Sequence, residues 1–229
     1  NEPYKHSGKL NTLIFRPNVI YGLSNRLNLL FSTQIGLRSM VWDQKGKSIH
    51  HRTESTFEDF SNANPGWLGD SKIILRYLSR NDGMGEGLRV IYGGGLSIPS
   101  NSVLTSDPFF LNGDEKTDHR HFSLSTGSYK YIIETQLFFK QPANPVFYGG
   151  FLTYEHPIAE NEYNYIPPPI LNLSLSATFK RFDERDSSIG YGLGIMQSGQ
   201  GYWNEIKEPN SKSLSVAPTL SYLVNSRFG

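Results

Sequence analysis

The chain has 229 residues, 22 Lys plus Arg against 21 Asp plus Glu, and a formal net charge of +1, which excludes a nucleic-acid binder built on bulk positive charge. It has no cysteine, which excludes disulfide frameworks and thiolate chemistry. No run approaches the roughly 18 apolar residues of a membrane helix, and the mean hydropathy is −0.42, so a helical membrane protein is excluded as well. Aromatics at 13%, 22 Gly, and charged residues at only 19% against the usual ~25% point instead to β structure.

Period-2 alternation recurs along the chain and predicts nine strands. The first covers residues 10–21, with Leu13, Phe15, Val19 and Tyr21 on one face and Arg16 and Asn18 on the other. The second, 27–42, is the clearest: Leu27, Leu29, Phe31, Thr33, Ile35, Leu37, Ser39 and Val41 oppose Asn28, Leu30, Ser32, Gln34, Gly36, Arg38 and Met40. Strands follow at 70–78 and 88–98, with Lys72, Arg76 and Arg89 on the polar side. Next come 129–139, with Lys130, Glu134 and Gln136, and 146–156, which Phe147 and Phe151 blur. The last three, 171–179, 189–197 and 214–222, set Leu, Ile, Val and Tyr against Ser, Thr, Asn, Ala and Gly. No segment reads as an amphipathic helix.

The connections alternate in length. Short ones fall at 22–26, 79–87, 140–145 and 181–187, and long ones at 43–69, 99–128, 157–169 and 199–212. Short turns at one end and long loops at the other are the connection pattern of an up-and-down transmembrane barrel. The apolar face carries almost no charge, as a lipid-facing surface requires, because an exposed Lys or Arg at the midplane costs ~2–4 kcal/mol. Aromatics gather at both strand ends, Trp42, Trp67, Tyr163, Tyr165, Tyr202 and Trp203 by the long loops and Tyr21, Tyr77, Phe139, Phe147, Phe179 and Tyr222 by the short turns, as two interfacial girdles would. The expected fold is therefore all-β: residues 1–229 form one antiparallel transmembrane β-barrel domain in a bacterial outer membrane. Because the first connection is short and nine is odd, further strands, about 10–12 in all, are expected in the full chain.

Three phrases resemble outer-membrane proteins assigned to the meta-pathway of phenol degradation, a family of transporters. They are Pro17-Asn18-Val19-Ile20-Tyr21-Gly22-Leu23-Ser24-Asn25-Arg26-Leu27, then Leu68-Gly69-Asp70 leading to Leu75-Arg76-Tyr77, then Leu96-Ser97-Ile98-Pro99-Ser100. The resemblance is good over about residues 10–100 and loose beyond; where the family ends a strand on Pro-Thr-Gly, this chain has Pro99-Ser100-Asn101. It implies an outer-membrane barrel moving small hydrophobic or aromatic compounds, and it carries over no catalytic residue.

Two sets of side chains are candidates for function. Arg16, Arg38, Lys72, Arg76, Arg89, Glu134 and Gln136 should point inward, lining a pore whose charge sets selectivity or knitting a network that plugs it. The histidines His6, His50, His51, His119, His121 and His156 all fall at the outer end by this topology. His50, His51, His119 and His121 could hold a divalent metal, with Asp118 and Glu155 assisting, or could simply be polar loop residues. No other cofactor is expected. Serines are abundant, but no compact Ser–His arrangement stands out, His119 with Ser123 and Ser125 being too weak a pattern, so an enzyme is not expected. The glycines at 93–95 precede no helix and read as fitting a crowded interior rather than a phosphate loop.

The functional expectation is an outer-membrane channel passing small molecules by diffusion, with the bilayer, a small solute and other envelope proteins as partners and no nucleic acid. A structural barrel that scaffolds a larger assembly, or a membrane-embedded hydrolase, are the alternatives.

Overall fold

The computed structural model describes residues 8–42, 52–83, 85–110, 118–180, 187–209 and 211–224. These contain fifteen strands and no helix. The first hairpin is formed by β1 (Gly8–Phe15) and β2 (Asn18–Gly22) against β3 (Leu27–Ser32) and β4 (Ile35–Trp42). Phe15 faces Ile35 and Asn18 faces Ser32, so one register runs through both halves. The break falls at Pro17, which has no N–H to give; the Thr33 N–H still reaches the Pro17 carbonyl at 3.3 Å.

The long strands β6 (Ser71–Asn81), β7 (Gly87–Ile98), β8 (Lys130–Lys140), β9 (Phe147–Pro157), β11 (Ile170–Lys180), β12 (Ser187–Ser198) and β15 (Ser213–Val224) continue as an antiparallel meander. The resulting nine-stranded sheet has the order β15-β12-β11-β9-β8-β7-β6-β3-β2, and every neighbour in it is the next long strand in the chain. All nine segments expected from alternation are present, several extended by a few residues. The long loops contribute the two-residue strands β5 (Glu54–Ser55), β10 (Tyr165–Ile166), β13 (Tyr202–Trp203) and β14 (Ile206–Lys207), which alternation is too short to signal. Among the described residues the end strands β2 and β15 do not pair with each other, so the sheet is open.

Two of the short connections show how they turn. The Ser24 hydroxyl accepts from the N–H groups of Arg26 and Leu27, and the Leu23 N–H returns to the Leu27 carbonyl at 2.9 Å. At the next turn the Asp82 carboxylate accepts from the Leu88 N–H at 2.9 Å.

Burial runs opposite to that of a water-soluble sandwich. Glu134 is 2% exposed while its neighbour Ile133 is 57% exposed. The same inversion holds for Leu75 and Tyr77 against Arg76, and for Tyr131 against Lys130. From β3 to β9 the polar face is the covered one, whereas on β2, β11 and β15 residues of both faces are exposed; the apolar face is a continuous exposed surface far wider than the scattered apolar residues of a soluble monomer. A small apolar cluster also lies on the covered face. Leu30, Ile74 and Ile132 fall in one row across β3, β6 and β8, with Gly95 of β7 between the last two. A Cβ at Gly95 would lie 2.0 Å from the Ile73 carbonyl oxygen, so only glycine permits this approach of β7 to β6.

The aromatics expected at the strand ends divide between exposed and covered positions. Tyr21, Tyr77, Phe139 and Tyr222 are exposed at the short-turn end, and Trp67 is exposed at the other. Phe147 instead stacks on Phe138 at 5.7 Å on the covered face, and Trp203 is 2% exposed within the loops.

The faces give adjacent residues opposite weights. Ile132→Ala should lower unfolding stability in detergent by about 2–5 kcal/mol through the cavity it leaves. Ile133→Ala, on the outer face, should cost ~0.5 kcal/mol or less. Equilibrium denaturation of the two variants measures the difference.

Candidate functional site

The covered face of β6 to β9 holds a linked set of charges. Register places Arg76 beside Gly93 and Gly93 beside Glu134, so the two charged residues are separated by one strand that has no side chain between them. Arg76 bridges that gap: its Nε donates to Glu134 Oε1 at 2.6 Å and an Nη to Oε2 at 2.9 Å. A Cβ on Gly93 would meet the Glu134 Cβ at 3.1 Å and Oε1 at 3.2 Å. The Gln136 amide adds a third bond to Glu134 at 2.6 Å. One level nearer the long loops, Lys72 pairs with Glu155, and Lys130 pairs with Asp70 at 3.4 Å. Beside them the Asn172 amide donates to the Thr153 hydroxyl at 3.3 Å. Paired forks of this kind combine charge with fixed geometry and are the stronger class of hydrogen bond.

The described parts of the long loops are bound to one another and to β4, where β5 pairs with Ser39 and Met40. Arg120 from the second loop is 1% exposed, and it donates Nε to Glu54 at 3.3 Å and an Nη to the carbonyls of Ser55 and Glu58. Its guanidinium lies 5.2 Å from the Phe60 ring centroid and 5.1 Å from that of Phe122, a cation held between two aromatic rings. Asn62 pairs with the Arg120 backbone in both directions, each bond 2.8 Å. Burial outweighs the attraction of Arg120 and pushes the Glu54 carboxyl up to about 7. The second loop joins the third through Asn161, whose amide donates to the Thr126 carbonyl at 3.0 Å while its oxygen accepts from the N–H groups of Tyr163 and Tyr165. The third joins the fourth where Tyr165 stacks on Trp203, centroids 4.4 Å apart, and its hydroxyl donates to Glu208 at 3.2 Å. Burial raises both Tyr165 and Glu208 above their ordinary values.

Of the residues expected inside, Arg76, Glu134 and Gln136 form one cluster and Lys72 pairs nearby. Arg38 is half-buried higher up on β4, where an Nη donates to the Ser123 carbonyl of the second loop at 2.8 Å. Arg89 turns toward the short-turn end and donates to the Gly83 carbonyl. Arg16 is exposed at the break after β1. Neither therefore joins the central cluster.

The Nε2 atoms of His119 and His121 lie 2.9 Å apart. Among the described residues no third ligand completes a metal-binding group with them. His6, His50 and His51 lie outside the described residues. His156 stacks on Tyr131 at 5.4 Å, with Nδ1 2.7 Å from the Pro157 carbonyl. Glu155, a possible metal ligand by sequence, is taken up by Lys72.

Sequence reasoning did not find Arg120, Glu54, Asn161 or Trp203 as organisers of the loops. Nothing in their spacing signals it, since each acts on a partner tens of residues away. Only the absence of a side chain at Gly93, flanked in register by strands rich in charge, offered a hint of the Arg76–Glu134 bridge. No family model and no curated protein matches the chain.

Two consequences follow from the charges. Glu134→Ala strands the Arg76 cation on a covered face and should lower stability by about 3–5 kcal/mol, whereas an Arg76→Met, Glu134→Met double variant should recover most of that loss in denaturant titrations. Burial raises the Glu54 carboxyl from its ordinary range to about 7, so its contribution is fully present below the ordinary carboxylate range and is lost as pH rises through about 7. Protection factors for hydrogen exchange at residues 52–69 and 118–128, which remove the base-catalysed intrinsic rate, should accordingly fall between pH 5 and 8, and Glu54→Gln should flatten that dependence.

Proposed function

We propose that this chain forms the wall and outer mouth of an outer-membrane β-barrel that admits small solutes by diffusion. The observation that carries the reading is the inverted sheet: paired charges on the covered face, and on the other a nearly uncharged surface of Leu, Ile, Val, Phe and Tyr. Water offers no reason to display such a surface, and lipid does. Strands of eleven or twelve residues from β6 onward suit a tilted crossing of the bilayer. A bilayer also demands that the ends of the open sheet be paired, which a closed barrel achieves.

The character of the interior bears on the solute. Arg76, Lys72 and Lys130 are each matched to a carboxylate, so this wall presents little net charge. On β11, β12 and β15 the corresponding positions are Asn172, Ser174, Ser176, Gly190, Gly192, Gly194, Ala217, Thr219 and Ser221, which are small and uncharged. A lumen between these walls favours neutral solutes over ions. The resemblance to the phenol meta-pathway family agrees with small, weakly polar cargo.

A structural barrel is the second reading, favoured by the interlocked loops around Arg120 and Asn161. Reconstitution of the full-length protein in liposomes separates the two. A channel should give swelling in neutral sugars that falls off with solute size, together with weak cation–anion discrimination in reversal potentials. A structural barrel should give neither swelling nor conductance.

A further inference from the structure

Arg120 is turned into the loops, and that bears on its two neighbours. The non-helical segment around it sends residues two apart to one side, so His119 and His121 come together. The backbone between them is pinned at Arg120, whose N–H and carbonyl both bond to Asn62 at 2.8 Å. Rings pack each imidazole: His119 meets Phe110 edge-on with centroids 4.5 Å apart, and His121 lies 6.2 Å from Trp42 and 6.1 Å from Phe109. His119 is 4% exposed. The pair is therefore held in place before any ligand arrives, which lowers the cost of binding one.

The contact between the two rings is bent for a hydrogen bond. Their Nε2 atoms are 2.9 Å apart, yet the ring centroids are only 4.5 Å apart and the planes are inclined by 69°. A straight N–H···N bond of that length would hold the centroids about 5 Å apart, because both rings would point along it. The shorter spacing turns the nitrogens off the line between them, as happens when both address a third atom. Two metal–nitrogen bonds of about 2.05 Å whose nitrogens stand 2.9 Å apart enclose an angle of about 90°. That is the angle between adjacent ligands of a tetragonal or octahedral ion, whereas tetrahedral Zn²⁺ would hold the nitrogens about 3.3 Å apart.

The charges around the pair admit a cation. Arg120 is matched to Glu54. His121 lines a cavity of about 210 Å³ together with Arg38 and Glu208, and Asp107 is close enough to Glu208 to act on its charge. Two carboxyl groups there face one guanidinium, and the cavity has room for several waters. We propose that His119 and His121 bind one divalent copper or nickel ion through their Nε2 atoms in adjacent positions, with water completing the coordination. Imidazole suits both metals, and copper stands highest in the general order of affinity.

The site does not depend on transport. Titration of the untagged, chelator-treated full chain in detergent micelles with Cu²⁺, Ni²⁺ and Zn²⁺ tests it, together with pulsed electron paramagnetic resonance of the copper form. One equivalent of Cu²⁺ should bind and show two imidazole nitrogens, and Ni²⁺ should bind more tightly than Zn²⁺. His119→Ala and His121→Ala should each weaken Cu²⁺ by roughly tenfold or more, because a second tethered ligand adds affinity through proximity. Heat-modifiable gel mobility checks that each variant is folded, and the wild-type spectrum stands without any variant. No bound equivalent, a single imidazole in the spectrum, undiminished affinity in folded His119→Ala or His121→Ala, or Zn²⁺ bound above Ni²⁺ would each overturn the assignment. Metal binding without solute flux would leave this site and remove the channel; flux without metal binding would do the reverse.

Discussion

A carboxylate shut away from water has to be answered by a cation, and Glu134 is answered by Arg76 across the width of a whole strand. That contact exists because β7 places Gly93 between them, where any side chain would press on the Glu134 Cβ. The pair fixes which face of β6 and β8 is covered. Because a strand alternates, one covered residue commits every other residue on it. Lys72 and Lys130 follow Arg76 and Glu134 inward and find Glu155 and Asp70. Ile73, Leu75, Ile133 and Leu137 follow outward. The meander transmits the choice from strand to strand through its register, shifted once between Leu78 and Arg80, so the polarity of the sheet from β3 to β9 rests on a few neutralised pairs.

The loops obey a different logic. They have no alternation to organise them and depend on single polar residues that make several bonds at once. Arg120 gathers Glu54, Ser55 and Glu58 of the first loop and packs between Phe60 and Phe122. Asn161 saturates its amide between the second and third loops. Tyr165 does the same for the third and fourth through Trp203 and Glu208. The outcome is a connected cap at the long-loop end of the strands.

How much of this was legible in the chain differs sharply between the two parts. The nine strands, their faces and the position of every turn follow from alternate residues, because the period of a strand is a local property of the backbone. The inward direction of Arg76, Glu134 and Gln136 follows from the same periodicity. Arg16 and Arg89 share the inward parity yet sit near strand breaks or ends, where side chains reach carbonyls or solvent instead. Parity says which face a residue is on, not how far along the strand the covered region extends. Trp203 and Phe147 miss their girdle positions for a related reason: a ring near a strand end can turn inward to stack, as they do on Tyr165 and Phe138.

By itself, then, the sequence determined that the protein is all-β, antiparallel and two-faced, since hydrophobic periodicity and turn spacing act over a few residues. Only the tertiary structure decided which charges neutralise each other and which loop residues hold the cap. Those contacts join Arg76 to Glu134 and Arg120 to Glu54 across 58 and 66 residues of chain. Electrostatic pairing and hydrogen-bond satisfaction depend on distance in space, which no local pattern encodes.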